Sequence, residues 1–208
     1  MNPRHRKGKP LRRRRPRIDE RKRYVIYCEG KVTEPVYLTA LNALADVRPH
    51  SILDVRGKGY DPHRLVAEAK QARLDEHADE EAGTEYWCVF DVEVPTQHSR
   101  LHDAIQMARD NDIKVAISNP CFELWLILHH QDHTRPIDNQ QARSILRKHD
   151  PSPEKGLDSK LYMESRKDAV DRARRLTERH KNAGQTFPDD NPSSGVYRLI
   201  EVVEEQSR

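Results

Sequence analysis

Four short apolar runs interrupt an otherwise polar chain, and each leads into a stretch with helical spacing. Tyr24-Val25-Ile26-Tyr27-Cys28 is β-branched and aromatic and ends at Glu29-Gly30, which reads as a buried strand and a turn. Thr33 then opens a helix with Glu34 and Pro35 in its first turn and Tyr37, Leu41, Leu44 and Ala45 at helical intervals. Residues 51–55 read as a second strand with Gly57-Lys58-Gly59 as its exit. Asp61-Pro62 starts the next helix, whose stripe is Leu65, Ala69 and Ala72. Tyr86-Trp87-Cys88-Val89-Phe90 is the strongest strand and runs into Asp91-Val92-Glu93-Val94. A helix over residues 99–111 follows, carrying Leu101, Ile105 and Ala108 on one face. Residues 113–117 form the fourth strand, and an apolar helix over 122–129 comes directly after Ser118-Asn119-Pro120. The strands are near-continuous apolar runs, so they belong in a parallel sheet with helices on both faces.

The rest is less regular. Residues 131–138 and 150–158 read as loops around a short helix. A long amphipathic helix is expected over 159–181, with Ala169, Ala173 and Leu176 inward. Asn191-Pro192-Ser193-Ser194-Gly195 reads as a turn before a terminal helix over 196–204. The expected organisation is thus an α/β core over residues 24–130 and a helical C-terminal extension over 131–208 packed on it.

Charge adds a third segment. Residues 1–23 carry 12 Lys or Arg and two acids, against 37 and 34 in the whole chain of 208 residues. The formal net charge of +3 therefore hides a strongly basic start and a net acidic remainder. With so few apolar residues, the start cannot bury a core and is expected to be a disordered arm. Such an arm suits nonspecific, salt-sensitive contact with nucleic acid, or serves as a solvated tail. No apolar run is long enough to span a bilayer, and none follows the arm as in a secretory leader. The three cysteines are far apart with no CxxC pair, which argues against a disulfide framework or a Cys-based zinc site. A cytoplasmic protein is expected.

The chemistry is expected at the carboxyl ends of the strands, where open parallel sheets build their sites. Glu29, Asp91 and Glu93 fall there. Asp91 and Glu93 are two apart, so on an extended chain both side chains point the same way and can share a hard cation such as Mg²⁺. Glu29, from another strand end, would reach the same metal or move a proton. Such a set suits phosphoryl chemistry, although acids at strand exits also serve as loop residues and caps. Asn119 and Glu123, at the start of the apolar helix, would contact a phosphate or cap the turn. Lys31, Arg56 and Lys58 are phosphate contacts or ordinary loop cations. His129, His130 and His133 lack an HExxH pattern and read as the polar end of a helix, and Trp125 reads as core.

Several ordered motifs carry a family resemblance. Glu29-Gly30-Lys31-Val32-Thr33-Glu34-Pro35-Val36-Tyr37 resembles the EG-x-x-TE-x-x-Y opening of the RloB-like proteins. Phe90-Asp91-Val92-Glu93 resembles their FD-x-D strand, with Glu93 in place of the second Asp. Ser118-Asn119-Pro120-Cys121-Phe122-Glu123-Leu124-Trp125-Leu126 resembles their SNP-x-FE-x-W-L segment, and Asn191-Pro192-Ser193-Ser194 their NPS turn. The resemblance spans about residues 24–203. It implies a TOPRIM-like fold and a nuclease using Mg²⁺, or Mn²⁺, on DNA or RNA, including tRNA, in antiphage defence. It implies Glu29 as general acid/base, Asp91 and Glu93 as metal ligands, and a partner ATPase, since the chain has no P-loop of its own. The alternative is a non-catalytic binding or sensor subunit, a reading that Glu93 in place of Asp keeps open.

Overall fold

The computed structural model describes residues 21–77, 83–150 and 157–205. Strands β1 (Lys22–Cys28), β2 (Ser51–Gly57), β3 (Glu85–Asp91) and β4 (Lys114–Asn119) are parallel. A two-residue strand, β5 (Ser193–Ser194), pairs antiparallel with the end of β4. The order across the sheet is β2-β1-β3-β4-β5. The helices are α1 (Thr33–Ala43), α2 (Pro62–His77), α3 (Leu101–Asp110), α4 (Phe122–Ile127), α5 (Asn139–His149), α6 (Ser159–Glu164), α7 (Arg166–Asn182) and α8 (Val196–Glu205). This is the α/β architecture expected from the apolar runs. None of the described helices is long and apolar enough to cross a membrane.

Both faces of the sheet are buried, which is why its strands read as unbroken apolar runs. Alternate residues divide between two cores. Tyr24, Ile26, Trp87 and Val89 pack with α1, α4 and the C-terminal helices, joining Leu126, Ala173 and Leu199 in one cluster. Val25, Tyr27, Cys88 and Phe90 pack against α2 and α3 through Leu65, Ala69, Leu101 and Ala104. The last helix is tied to the sheet by polar bonds as well: Tyr24 Oη donates to the Val202 carbonyl at 3.2 Å and Ser51 Oγ to that of Val203 at 3.3 Å.

The structure corrects four local expectations. The arm expected to end at residue 23 lies outside the described residues up to residue 20, but β1 begins at Lys22. Flanking acids on the neighbouring strands draw that segment in, with Lys22 Nζ 2.6 Å from Glu85 and Arg23 3.2 Å from Asp54. The long helix expected over 159–181 is two helices, α6 and α7. They part at Ser165, whose hydroxyl bonds back to the Leu161 carbonyl at 3.1 Å. The turn at 193–194 is instead the fifth strand. His129 is not at a polar helix end. It is buried among Tyr37, Trp125 and Tyr162, with Nε2 3.1 Å from Tyr37 Oη and Nδ1 2.9 Å from the Trp125 carbonyl. Burial pushes its pKa down to about 3. Trp125 is core, as read.

Candidate functional site at the switch point of the sheet

The chain leaves β1 toward one edge to form β2 and returns past it to form β3, so the strand order reverses between β1 and β3. At such a point the two following loops diverge and leave a crevice outside the carboxyl ends of the strands. Glu29 follows β1 directly and Asp91 ends β3, so these two acids line that crevice. The backbone pins Glu29 from both neighbours: its N–H donates to the Val89 carbonyl at 2.9 Å and its carbonyl accepts from Gly59 at 2.8 Å. Its side chain bridges across the crevice. Oε2 accepts from the Asp91 N–H at 3.1 Å, and Oε1 lies 2.9 Å from His98 Nε2. Burial raises the Glu29 pKa, offset in part by the Asp91 amide and His98.

Asp91 is half-buried, with one oxygen enclosed. Its Oδ1 is shielded from solvent and has no hydrogen-bond partner. Burial pushes its pKa well up, and the negative charges of Glu34, Glu123 and Glu29 push it further. Glu34, in the first turn of α1, is only 7% exposed. Its Oε1 accepts from the Gly30 N–H at 3.1 Å. Its pKa too is raised, by burial first and then by Glu123 and Glu29. A Cβ at Gly30 would stand 2.0 Å from Glu34 Oε2, so a larger residue there would push the Glu34 carboxylate aside.

Glu93 departs from the extended geometry that would align it with Asp91. After β3 the backbone stays bonded to the β4 exit, through Val92 N–H to Ser118 and Glu93 N–H to Pro120, both at 2.9 Å. Glu93 takes φ +65°, in the left-handed region uncommon for a side chain of this kind. The Glu93 carboxylate accepts from Asn139 Nδ2 at the start of α5. Asn139 Oδ1 in turn accepts from the Val94 N–H at 3.0 Å, so α5 holds the whole exit loop.

The other sequence-selected residues have varied surroundings. Glu123 is paired with Arg143 at 3.1 Å and contributes its charge to the Asp91 environment. Asn119 is buried, and its Nδ2 donates at 2.9 Å to both the Pro188 carbonyl and Asp190 Oδ1, so its donor is spent on the C-terminal segment. Lys31 is exposed, with its stem against Gly59. Arg56 pairs with Asp54, and Lys58 with Glu68.

Three site residues escaped the sequence reading. Glu34 had a signal, since it lies five residues after Glu29 within the motif, but a first-turn acid reads equally as a helix-start residue. His98 and Asn139 stand in or beside loops, and only tertiary packing brings them to the acids.

Glu29, Glu34 and Glu123 thus act electrostatically on Asp91, whose enclosed Oδ1 has no hydrogen-bond partner. Among the described residues no three His, Cys, Asp or Glu side chains converge with the geometry of a metal-holding set. Mg²⁺ commonly takes only one or two carboxylates and completes its shell with water and substrate phosphate. Asp91 with Glu29 suits that kind of binding, and a cation there would relieve the packed negative charge.

No curated protein and no solved structure matches the chain. A family model described as RloB-like protein matches residues 24–203, nearly everything beyond the basic start. The match takes in the Glu29 motif, the Asp91 strand and the segment around Glu123, and the chain belongs to the RloB-like family.

Proposed function

We propose that this protein is a metal-dependent nuclease that hydrolyses phosphodiesters of nucleic acid at the β1/β3 switch point. The observation that carries the reading is the buried, partnerless Asp91 Oδ1 within electrostatic reach of three further carboxylates. Keeping like charges together in a confined site is costly, and uptake of a proton or of a divalent cation compensates it.

Asp91 and Glu29 would hold a divalent cation, Mg²⁺ or Mn²⁺. When bound, such an ion neutralises phosphate charge and lowers the pKa of an attacking water. Glu29 moves a proton at Oε1 or Oε2, an assignment supported by its raised pKa, by the Asp91 amide on Oε2 and by the closeness of His98 to Oε1. His98 orients the Glu29 carboxylate. Glu34 holds the Gly30 turn in place and adds negative charge that favours cation uptake. Glu93, bonded to Asn139, fixes the exit loop and reaches the cation only by leaving that bond. The wider role would be antiphage defence, with ATP handled by a partner ATPase.

The orientation of Glu93 favours a second reading, a nucleic-acid-binding or sensor subunit without turnover. The two separate on a gel. Labelled single-stranded DNA, duplex DNA and total tRNA are incubated with protein, alone and with an ATPase encoded beside it, in Mg²⁺, Mn²⁺ or EDTA. The nuclease reading expects metal-dependent cleavage of at least one substrate, lost in Asp91→Asn and Glu29→Gln. Binding with no cleavage in any lane would replace it with the second reading.

A further inference from the structure

The carboxylates lie between two arginine-bearing grooves on opposite faces of the sheet. The first, about 320 Å³, is lined by Asp61, His63, Arg64, His98, Ser99 and Arg100 at the starts of α2 and α3. These helices cover the Val25–Phe90 face. Arg100 reaches His63 Nε2 at 2.6 Å, and the Arg64 guanidinium lies 3.7 Å over the Tyr60 ring. Among the described residues Asp61 is the single acid lining this groove, and one of its oxygens accepts from the Arg64 N–H at 3.1 Å. The second, about 740 Å³, is lined by Glu93 and Thr96 after β3 and by Asp138, Asn139, Arg143 and Arg147 at and along α5, with Arg143 also 3.1 Å from Glu123. That helix belongs to the Tyr24–Trp87 face through Ala142 and Leu146. Arg143 and Arg147 are one turn apart and share a helix face.

Side-chain contacts link the two grooves through the site. His98 of the first meets Glu29, Glu29 bonds the Asp91 amide, and Asn139 of the second bonds Glu93. We propose that one polynucleotide strand crosses the carboxyl edge of the sheet from face to face. Arg64 and Arg100 hold its phosphates on one side of Asp91, and Arg143 and Arg147 hold them on the other. The inference rests on the nuclease reading and names its substrate: a single strand that continues on both sides of the cut. A duplex is disfavoured by its stiffness: with a persistence length of about 150 base pairs, bending even a site of about 20–30 base pairs is costly, and the edge of one domain asks for a tighter turn. A strand held on both sides is cut internally and needs no free end.

Two measurements on full-length protein test this. Anisotropy of a labelled 20-nucleotide single strand, as DNA and as RNA, is read in EDTA, where no turnover occurs. The variants are Arg64→Gln/Arg100→Gln, Arg143→Gln/Arg147→Gln and, as a control on α7, Arg174→Gln/Arg175→Gln. Each groove variant is expected to weaken binding about tenfold and the control less than about twofold. Wild-type affinity in either groove variant, with its fold intact by circular dichroism, overturns the crossing. Covalently closed single-stranded circles of DNA and RNA are then offered with Mg²⁺. Opening of a circle supports the crossing, whereas cleavage of linear strands only overturns it. If neither form is cut, with or without the neighbouring ATPase, the single-strand assignment is overturned; cleavage of duplex or tRNA in the earlier gel then keeps the nuclease reading, and its absence there removes that reading too.

Discussion

Asp91 holds its carboxyl among like charges, and its effect on stability has a definite sign. A carboxyl whose pKa is raised on folding binds protons more tightly in the folded state. In cation-free buffer its contribution to stability therefore falls as pH rises from about 4 toward its elevated folded value. Asp91→Asn removes the charge and keeps the shape. It is expected to be more stable than wild type by about 1 kcal/mol at pH 7 in EDTA while losing cleavage, as at sites that trade stability for function. Urea denaturation of both proteins checks this, and equal or lower stability would count against a strained acid. His129 acts in the opposite direction. Its folded pKa of about 3 lies below the ordinary value near 6.5, so the unfolded chain takes up the proton first. Stability is complete above about 6.5 and drains as pH falls toward 3. His129→Leu leaves Tyr37 Oη short of a partner and lowers stability at pH 7, but the loss between pH 7 and 5 should be smaller than in wild type. A wild-type slope in that variant would contradict the burial argument.

At the scale of elements, the strands were legible because a doubly covered parallel sheet needs unbroken apolar runs, and Tyr24–Cys28 and Tyr86–Phe90 are such runs. Their neighbouring placement was not legible, since nothing in either run shows that β2 lies beyond β1. Period-two reasoning put Asp91 and Glu93 on one side, and it fails because β3 ends at Asp91 and Glu93 turns left-handed. The break at Ser165 was hidden because a single serine fits inside an amphipathic pattern. His98 and Asn139 reach the site through loops whose course no local pattern records. Asn139 depends in turn on the start of α5, where Asp138 and Gln141 form reciprocal bonds of 2.7 and 3.1 Å. Asp138→Ala should cost about 1 kcal/mol of stability. Because α5 holds the Val94 and Glu93 backbone loop, the same change should lower cleavage severalfold, read as initial rates beside thermal melts.

For the molecule as a whole, the nuclease reading gives the basic start and residues 21–205 separate duties. Residues 1–20 carry nine Lys or Arg and precede β1, so their removal leaves the Lys22 and Arg23 pairs of the sheet in place. The shortened protein is expected to bind single strands more weakly and with a shallower salt dependence. The slope should fall by about 0.7 for each phosphate that the segment had neutralised, while cation-dependent cleavage persists at saturating substrate. An unchanged salt slope would show that this segment touches no phosphate. The body's part rests on the claim that Asp91 anchors a divalent cation among the carboxylates of the switch point. The most direct measurement is a Mn²⁺ titration followed by electron paramagnetic resonance, in full-length wild type and in Asp91→Asn. Saturable binding by wild type, competed by Mg²⁺ and abolished in Asp91→Asn, is the predicted result. Equal Mn²⁺ binding by the two proteins, or none by wild type, would contradict the account.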